Sequence, residues 1–309
     1  MKRFQNKAAE SRHTLPIAAL YGIAVWILAG LFPQQWWIQA VCYLLATFII
    51  IELNNSNALI RIYSRMVSAA FIFLSCSACF LFPSLQGAIF QLCIIASLYT
   101  LFKCYQDKTT AGLSFYTFLL LGLGSLAHVQ TLYLVPIFWL LMAITIYSFS
   151  WRTFSASLLG LMLPYWAFTA WILFSNDCDF SPLLTHLEML GRYSFPNDYL
   201  ALSLPQIMVF VLTTVLSMTG MIHYFRTSFR DNIRIRQLFY SLIILNLFCT
   251  LFLIAQPQHY DSMMRVIIIT ASPLIGHFIS LTHTRVTNIA FLVILAITVL
   301  LTGFNLWML

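Results

Sequence analysis

A chain of 309 residues with 61% hydrophobic and only 8% charged side chains cannot clothe itself in polar surface, since a soluble domain is about one-quarter charged. A water-soluble globular fold is excluded, and segments of about ten residues that alternate polar and apolar, the mark of a transmembrane β-barrel, are absent. The net charge of +7 arises from sixteen basic and nine acidic residues, and the basic ones are spread along the chain, so there is no basic domain to bind nucleic acid.

The first element is a basic start, "MKRFQNKAAESRHT", followed by "LPIAALYGIAVWILAGLF" and then by bulky "PQQWW". With no small-x-small cleavage site, this reads as a retained first span that acts as its own insertion signal. Apolar runs then recur at 15–32, 37–53, 67–82, 87–102, 114–128, 132–147, 154–174, 207–225, 238–254, 264–281 and 289–306. Each is long enough, or nearly so, to cross a hydrocarbon core of about 30 Å. The predicted fold is therefore all-α: a polytopic transmembrane bundle of about eleven spans, forming one integral domain over residues 1–309.

Charge orients it. With the N-terminus cytoplasmic, the inside segments hold Lys2, Arg3, Lys7, Arg12, Arg61, Arg65, Lys103, Lys108, Arg152, Arg226, Arg230, Arg234, Arg236 and Arg285, which is 14 of the 16 basic residues. Only Arg192 and Arg265 fall outside. Short cytoplasmic loops retain Lys and Arg because translocating them is disfavoured, so the expected location is a bacterial inner membrane with the C-terminus outside. The densest basic stretch, "RTSFRDNIRIRQ", is a solvated loop or a contact for anionic lipid headgroups.

Polar residues inside the spans are few: Gln39, Gln91, Asn246, and Glu52 near an inner end, where it pairs with Arg61 or faces headgroups. With no acid at mid-depth, an ion-coupled carrier is disfavoured. Pro136, Pro164 and Pro273 are candidate kinks. Seven scattered cysteines, including the Cys76-x-x-Cys79 pair, read as small packing residues rather than a redox or metal site.

The exceptional connection is 175–206, which holds four of the nine acids: Asp177, Asp179, Glu188 and Asp198. Long loops on a membrane scaffold tend to carry function. Ser181 before Pro182 is an N-cap signal. From there Leu183, Leu184, Leu187 and Leu190 share one helical face and Thr185, Glu188 and Arg192 the other, so a short amphipathic helix is expected in the outer interface. Asp177-Cys178-Asp179 is an Asp-x-Asp, in which two carboxylates can hold a divalent metal against a phosphosugar; as loop carboxylates they need no partner at all. His186 is a candidate base or phosphate ligand, or a headgroup-level residue. A second outer cluster, "AQPQHYDSMMR", offers His259, Asp261 and Arg265, and "SLAHVQT" offers His128. Arg265 and Arg192 are candidate phosphate binders, and Asp261 is spaced to pair with Arg265. If the outer ends of these spans converge, His128, Asp177, Asp179, His259, Asp261 and Arg265 ring one cavity.

Residues 94–174, with "LYLVPIFW", "SFSWRTF" and "GLMLPYW", resemble a group of uncharacterised multi-span inner-membrane proteins of Bacteroidetes. The same segment is similar to membrane-embedded C-type glycosyltransferases. That resemblance implies a polyprenyl-phosphate-linked sugar as substrate on the outer face and a catalytic acid in the loop after the first span. Here that loop is "PQQWW" and carries no acid, so either an acid of 175–206, such as Asp177 or Asp179, or Asp261 takes its place, or the chain has the scaffold without the activity. Three functions remain open: envelope-glycan or lipid-linked sugar assembly, a non-catalytic subunit docking a membrane-protein partner, and a lipid or small-molecule transporter.

Overall fold

In hydrocarbon every backbone N–H and C=O must be satisfied within its own segment, and the apolar runs of this chain accordingly close into helices. The computed structural model describes residues 3–175, 181–191, 199 and 202–309, among which there is no strand. In chain order the helices are α1 (Phe4–Glu10), α2 (Thr14–Leu28), α3 (Trp37–Asn57), α4 (Met66–Ser77), α5 (Leu85–Lys103), α6 (Ala111–Ala127), α7 (Leu134–Ile144), α8 (Trp151–Ser175), α9 (Ser181–Glu188), α10 (Leu204–Thr227), α11 (Ile233–Ala255), α12 (Tyr260–Leu281) and α13 (Arg285–Met308). Seven of these elements, built on α3, α5, α8, α10, α11, α12 and α13, are long and apolar enough to cross a membrane. Four more are apolar but shorter: α2, α4, α6, and the 3-10 turn Val129–Tyr133 running into α7. This is a helical membrane protein.

Local signals set several ends. Ser84 caps α5 by accepting from Gly87 N, and Ser203 with Gln206 forms a capping box at α10, where Pro205 adds a residue suited to a first turn. Pro136 falls in the first turn of α7, where its missing N–H removes no helical bond. Pro164 and Pro273 lie inside α8 and α12.

The centre of the molecule is α12, of whose 22 residues 19 are buried; α13 buries only five of 24. Helices α4, α10, α11 and α5 pack around α12, and α6 packs between α5 and α8. Lipid tails are as apolar as leucine, so helices in a membrane associate by close fit at small residues. A Cβ on Gly220 of α10 would stand 2.9 Å from the Leu274 carbonyl carbon of α12, and one on Gly276 of α12 would stand 3.0 Å from the Val67 backbone of α4. On the other side, a Cβ on Gly122 would lie 2.8 Å from Leu161 O, and one on Gly160 would run into the Phe115 carbonyl, which is how α6 and α8 come so near.

The bundle has two chemically distinct ends. One gathers the basic connections: Gln5 Nε2 donates to Ile279 O and Thr282 Oγ1, Arg234 donates to Asn57 Oδ1, Arg234 also stands over Tyr105, and Ser150 Oγ donates to Lys108 O. The other end joins the starts of α10 and α12, where Tyr260 donates its hydroxyl to Gln206 O at 2.7 Å.

Candidate functional site

At this second end, three residues far apart in sequence meet around one carboxylate. Asp261 lies in the first turn of α12, and the i,i+4 spacing brings Arg265 back to it. Asp261 Oδ1 accepts from Arg265 Nε at 3.3 Å and Nη2 at 3.1 Å. Its Oδ2 accepts from Ser84 Oγ at 3.3 Å and stands 3.4 Å from His128 Nε2. Arg265 further donates from Nη1 to Gln91 Oε1 at 3.0 Å and from Nη2 to Leu81 O. The guanidinium fits because Gly87 has no side chain: a Cβ there would be 2.5 Å from its Nε.

Exposure assigns the parts. Arg265 is 4% exposed, whereas the side chains of Asp261 and His128 are 34% and 20% exposed. The arginine that the sequence offers as a phosphate binder is instead sealed behind the carboxylate, with four of its five N–H groups occupied. The cavity beside it, lined by Trp26, Ser75 and Gln91 among others, is about 20 Å³, enough for one water and far too small for a sugar. Arg265 is a positioning residue: it fixes Asp261, which faces outward with His128.

His128 is the residue at which α6 ends, with extended backbone (φ −135°, ψ 106°) and its ring edge-on to Phe90. His128 Nε2 is buried and meets Asp261 Oδ2 as an ion-pair contact at 3.4 Å without a hydrogen bond. An aspartate facing a histidine is the arrangement of a general base, and catalytic contacts of this kind are often loose until substrate binds.

The remaining expected site residues divide. His259 closes the 3-10 turn Pro257–His259 directly before α12, stacks on Phe252, and is near enough to His128 for their charges to interact. His186, in α9, contacts Ser125 O at 2.9 Å, one helical turn before His128 on α6, and Tyr133 donates its hydroxyl to Leu190 O. His186 and Leu190 thus lie against the end of α6 and the turn that follows it, beside the site. Asp177, Asp179 and Arg192 lie outside the described residues, as do Cys178 and Asp198. Among the described residues no three His, Cys, Asp or Glu side chains gather as a metal site.

A second cluster, at the basic end, is one that sequence reasoning missed. Asp231, in the turn between α10 and α11, has its carboxylate 2.8 Å from Arg61 Nε and 3.3 Å from His277 Nε2 of α12. Arg61 therefore pairs with Asp231 and not with Glu52, because the turn carries Asp231 inward while Glu52 stays on the flank of α3. The available signals were a lone acid amid four arginines and a histidine inside an otherwise apolar span.

Comparison with protein-family models, curated proteins and solved structures finds no match.

Proposed function

We propose that the chain crosses a bacterial cytoplasmic membrane eleven times with its N-terminus inside, and that its outer face acts on an envelope glycan or a lipid-linked sugar. The grouping of the basic connections at one end supports this orientation, since that end stays in the cytoplasm by the positive-inside rule. The observation that carries the functional reading is the outward-facing Asp261–His128 pair held by buried Arg265. In this reading His128 accepts a proton from a sugar hydroxyl, Asp261 orients it, and Arg265 positions Asp261. The similarity of residues 94–174 to C-type glycosyltransferases supplies the substrate class, a polyprenyl-phosphate-linked sugar. Asp177, Asp179, His186, Arg192 and His259 are the candidates for holding its phosphate, directly or through a divalent metal.

One observation favours a second reading, a non-catalytic subunit of a membrane complex: Arg265 spends its hydrogen bonds inside the protein, as a structural tie would. The test uses Asp261→Asn and His128→Gln, which preserve size, in the full-length chain. Both variants are expected to insert at wild-type levels and to lose the change in envelope-glycan composition that the wild-type gene restores to a deletion strain. Wild-type glycan in both variants would remove the catalytic reading and leave the subunit. Orientation is tested separately with a membrane-impermeant thiol reagent on spheroplasts. The six described cysteines are buried, so labelling reports Cys178, and labelling only after the membrane is opened would overturn the topology.

A further inference from the structure

Helices α2 and α13 pack on α4 far more than on each other, and the gap between them holds a cavity of about 190 Å³. Its floor is Ala69 and Ala70 of α4 with Ile275 of α12, its walls include Ile17 and Phe291, and Phe4 of α1 closes one end. Two polar residues contribute to the lining, Thr14 and Thr298, and they donate their hydroxyls to Ala8 O and Ile294 O. The surface offered to an occupant is therefore hydrocarbon. A dry apolar cavity of about 150 Å³ admits benzene, so this one has room for several carbons of a chain, and little in it could bond a sugar or a water.

The α1 end of the cavity is tied in place. Seven residues are too few for a helix to hold its shape alone, and side chains fasten α1 across the ends of α12 and α13. Gln5 N donates to Asn288 Oδ1 at 2.9 Å and Gln5 Nε2 to Ile279 O at 2.6 Å. Arg3 donates to His283 O, and the Phe4 ring lies 6.1 Å from that of Phe291. The segments that form this end carry Lys7 on α1, Arg12 between α1 and α2, and Arg285 at the start of α13, all exposed. Against these and Arg3 stands Glu10, the one acid of the N-terminal segment. In the apolar grooves between α2 and α3 and between α10 and α13, no lining residue adjoins a Lys or Arg in the chain. Here Phe4, Ala8 and Met66 directly follow Arg3, Lys7 and Arg65.

We infer that this cavity seats one acyl chain of an anionic phospholipid, whose phosphate is met by Lys7, Arg12 and Arg285. Each cation near a membrane surface favours anionic lipid, and each buried methylene favours the chain, so the two contributions add on a single molecule. The inference depends neither on catalysis at the Asp261 end nor on which leaflet the basic end meets.

The test places the full-length protein in phosphatidylcholine nanodiscs doped with phosphatidylglycerol or phosphatidylcholine that carries a diazirine in one acyl chain. Crosslinks are located by peptide mass spectrometry. Phosphatidylglycerol should mark Ala69, Ala70 and Ile275, and an excess of its unlabelled form should remove those marks while sparing exposed flank residues such as Leu28 and Leu251. Lys7→Gln, Arg12→Gln and Arg285→Gln should each lower the preference over phosphatidylcholine about fivefold, the worth of one cation at an anionic surface. Ala70→Phe, which fills the floor, should abolish the marks at Ala69 and Ile275. Marks confined to the flank, or equal marking of the cavity by both lipids, would overturn the proposal. The wild-type comparison alone decides it if Ala70→Phe fails to fold.

Discussion

The two ends of α12 carry the same three residue types in opposite order of burial. At the Asp261 end the arginine is sealed and the carboxylate and histidine face outward; at the Asp231 end the carboxylate and histidine are sealed and the arginine is the exposed member. The chemistry of an Asp–His–Arg group therefore follows from which member meets water. A part-exposed Asp–His pair can reach a hydroxyl of a large substrate, while a sealed one can only tie helices together.

The comparison can be broken first by stability. Removing one partner of a buried ion pair strands the other and costs about 3–5 kcal/mol when the survivor is buried. At the Asp261 end the buried survivor is Arg265, so Asp261→Ala should cost about that much, and Arg265→Met less, because the carboxylate it leaves is one-third exposed. At the other end the order should invert: Arg61→Gln strands the sealed Asp231, whereas Asp231→Asn leaves an arginine that water can reach. Denaturation of the four purified variants measures all of this, and the same order at both ends would sink the inversion.

Next in size is the packing that holds each group in register. Gly87→Ala puts a methyl against the guanidinium and should cost about 1–3 kcal/mol, while loosening Asp261. Gly220→Ala, at the seam between α10 and α12, should cost a similar amount and disturb the Asp231–His277 group instead. Chemical-shift changes confined to histidines of the matching end would sharpen the contrast, and changes spread over both ends would blur it.

The smallest stability effect is expected at His128. Its side chain is one-fifth exposed and rests against Phe90, so His128→Gln should cost about 1 kcal/mol, the centre of the range for single substitutions, although the proposed activity depends on it. A thermal midpoint lowered by more than a few degrees would recast His128 as a structural residue.

Some of this was legible early. Eleven apolar runs each overlap a helix, because the period and length of hydrophobicity are properties of a local window. The helix expected from Ser181-Pro182 is present as α9. The Asp261–Arg265 pair followed from i,i+4 spacing alone. His128 could be named as polar and near a helix end, but not as the neighbour of Asp261, since 133 positions separate them and only the packing of α6, α5 and α12 joins them.

The sequence by itself determined that this is a helical membrane protein and where the apolar helices lie, since both depend on composition summed along the chain. The tertiary structure alone decided which ionisable groups are sealed and which are open. Asp231 reads as one more charge in a basic loop, and Arg265 as a phosphate binder at a helix start with Asp261 one turn away. Burial is set by the helices that close around a residue, and those come from distant parts of the chain.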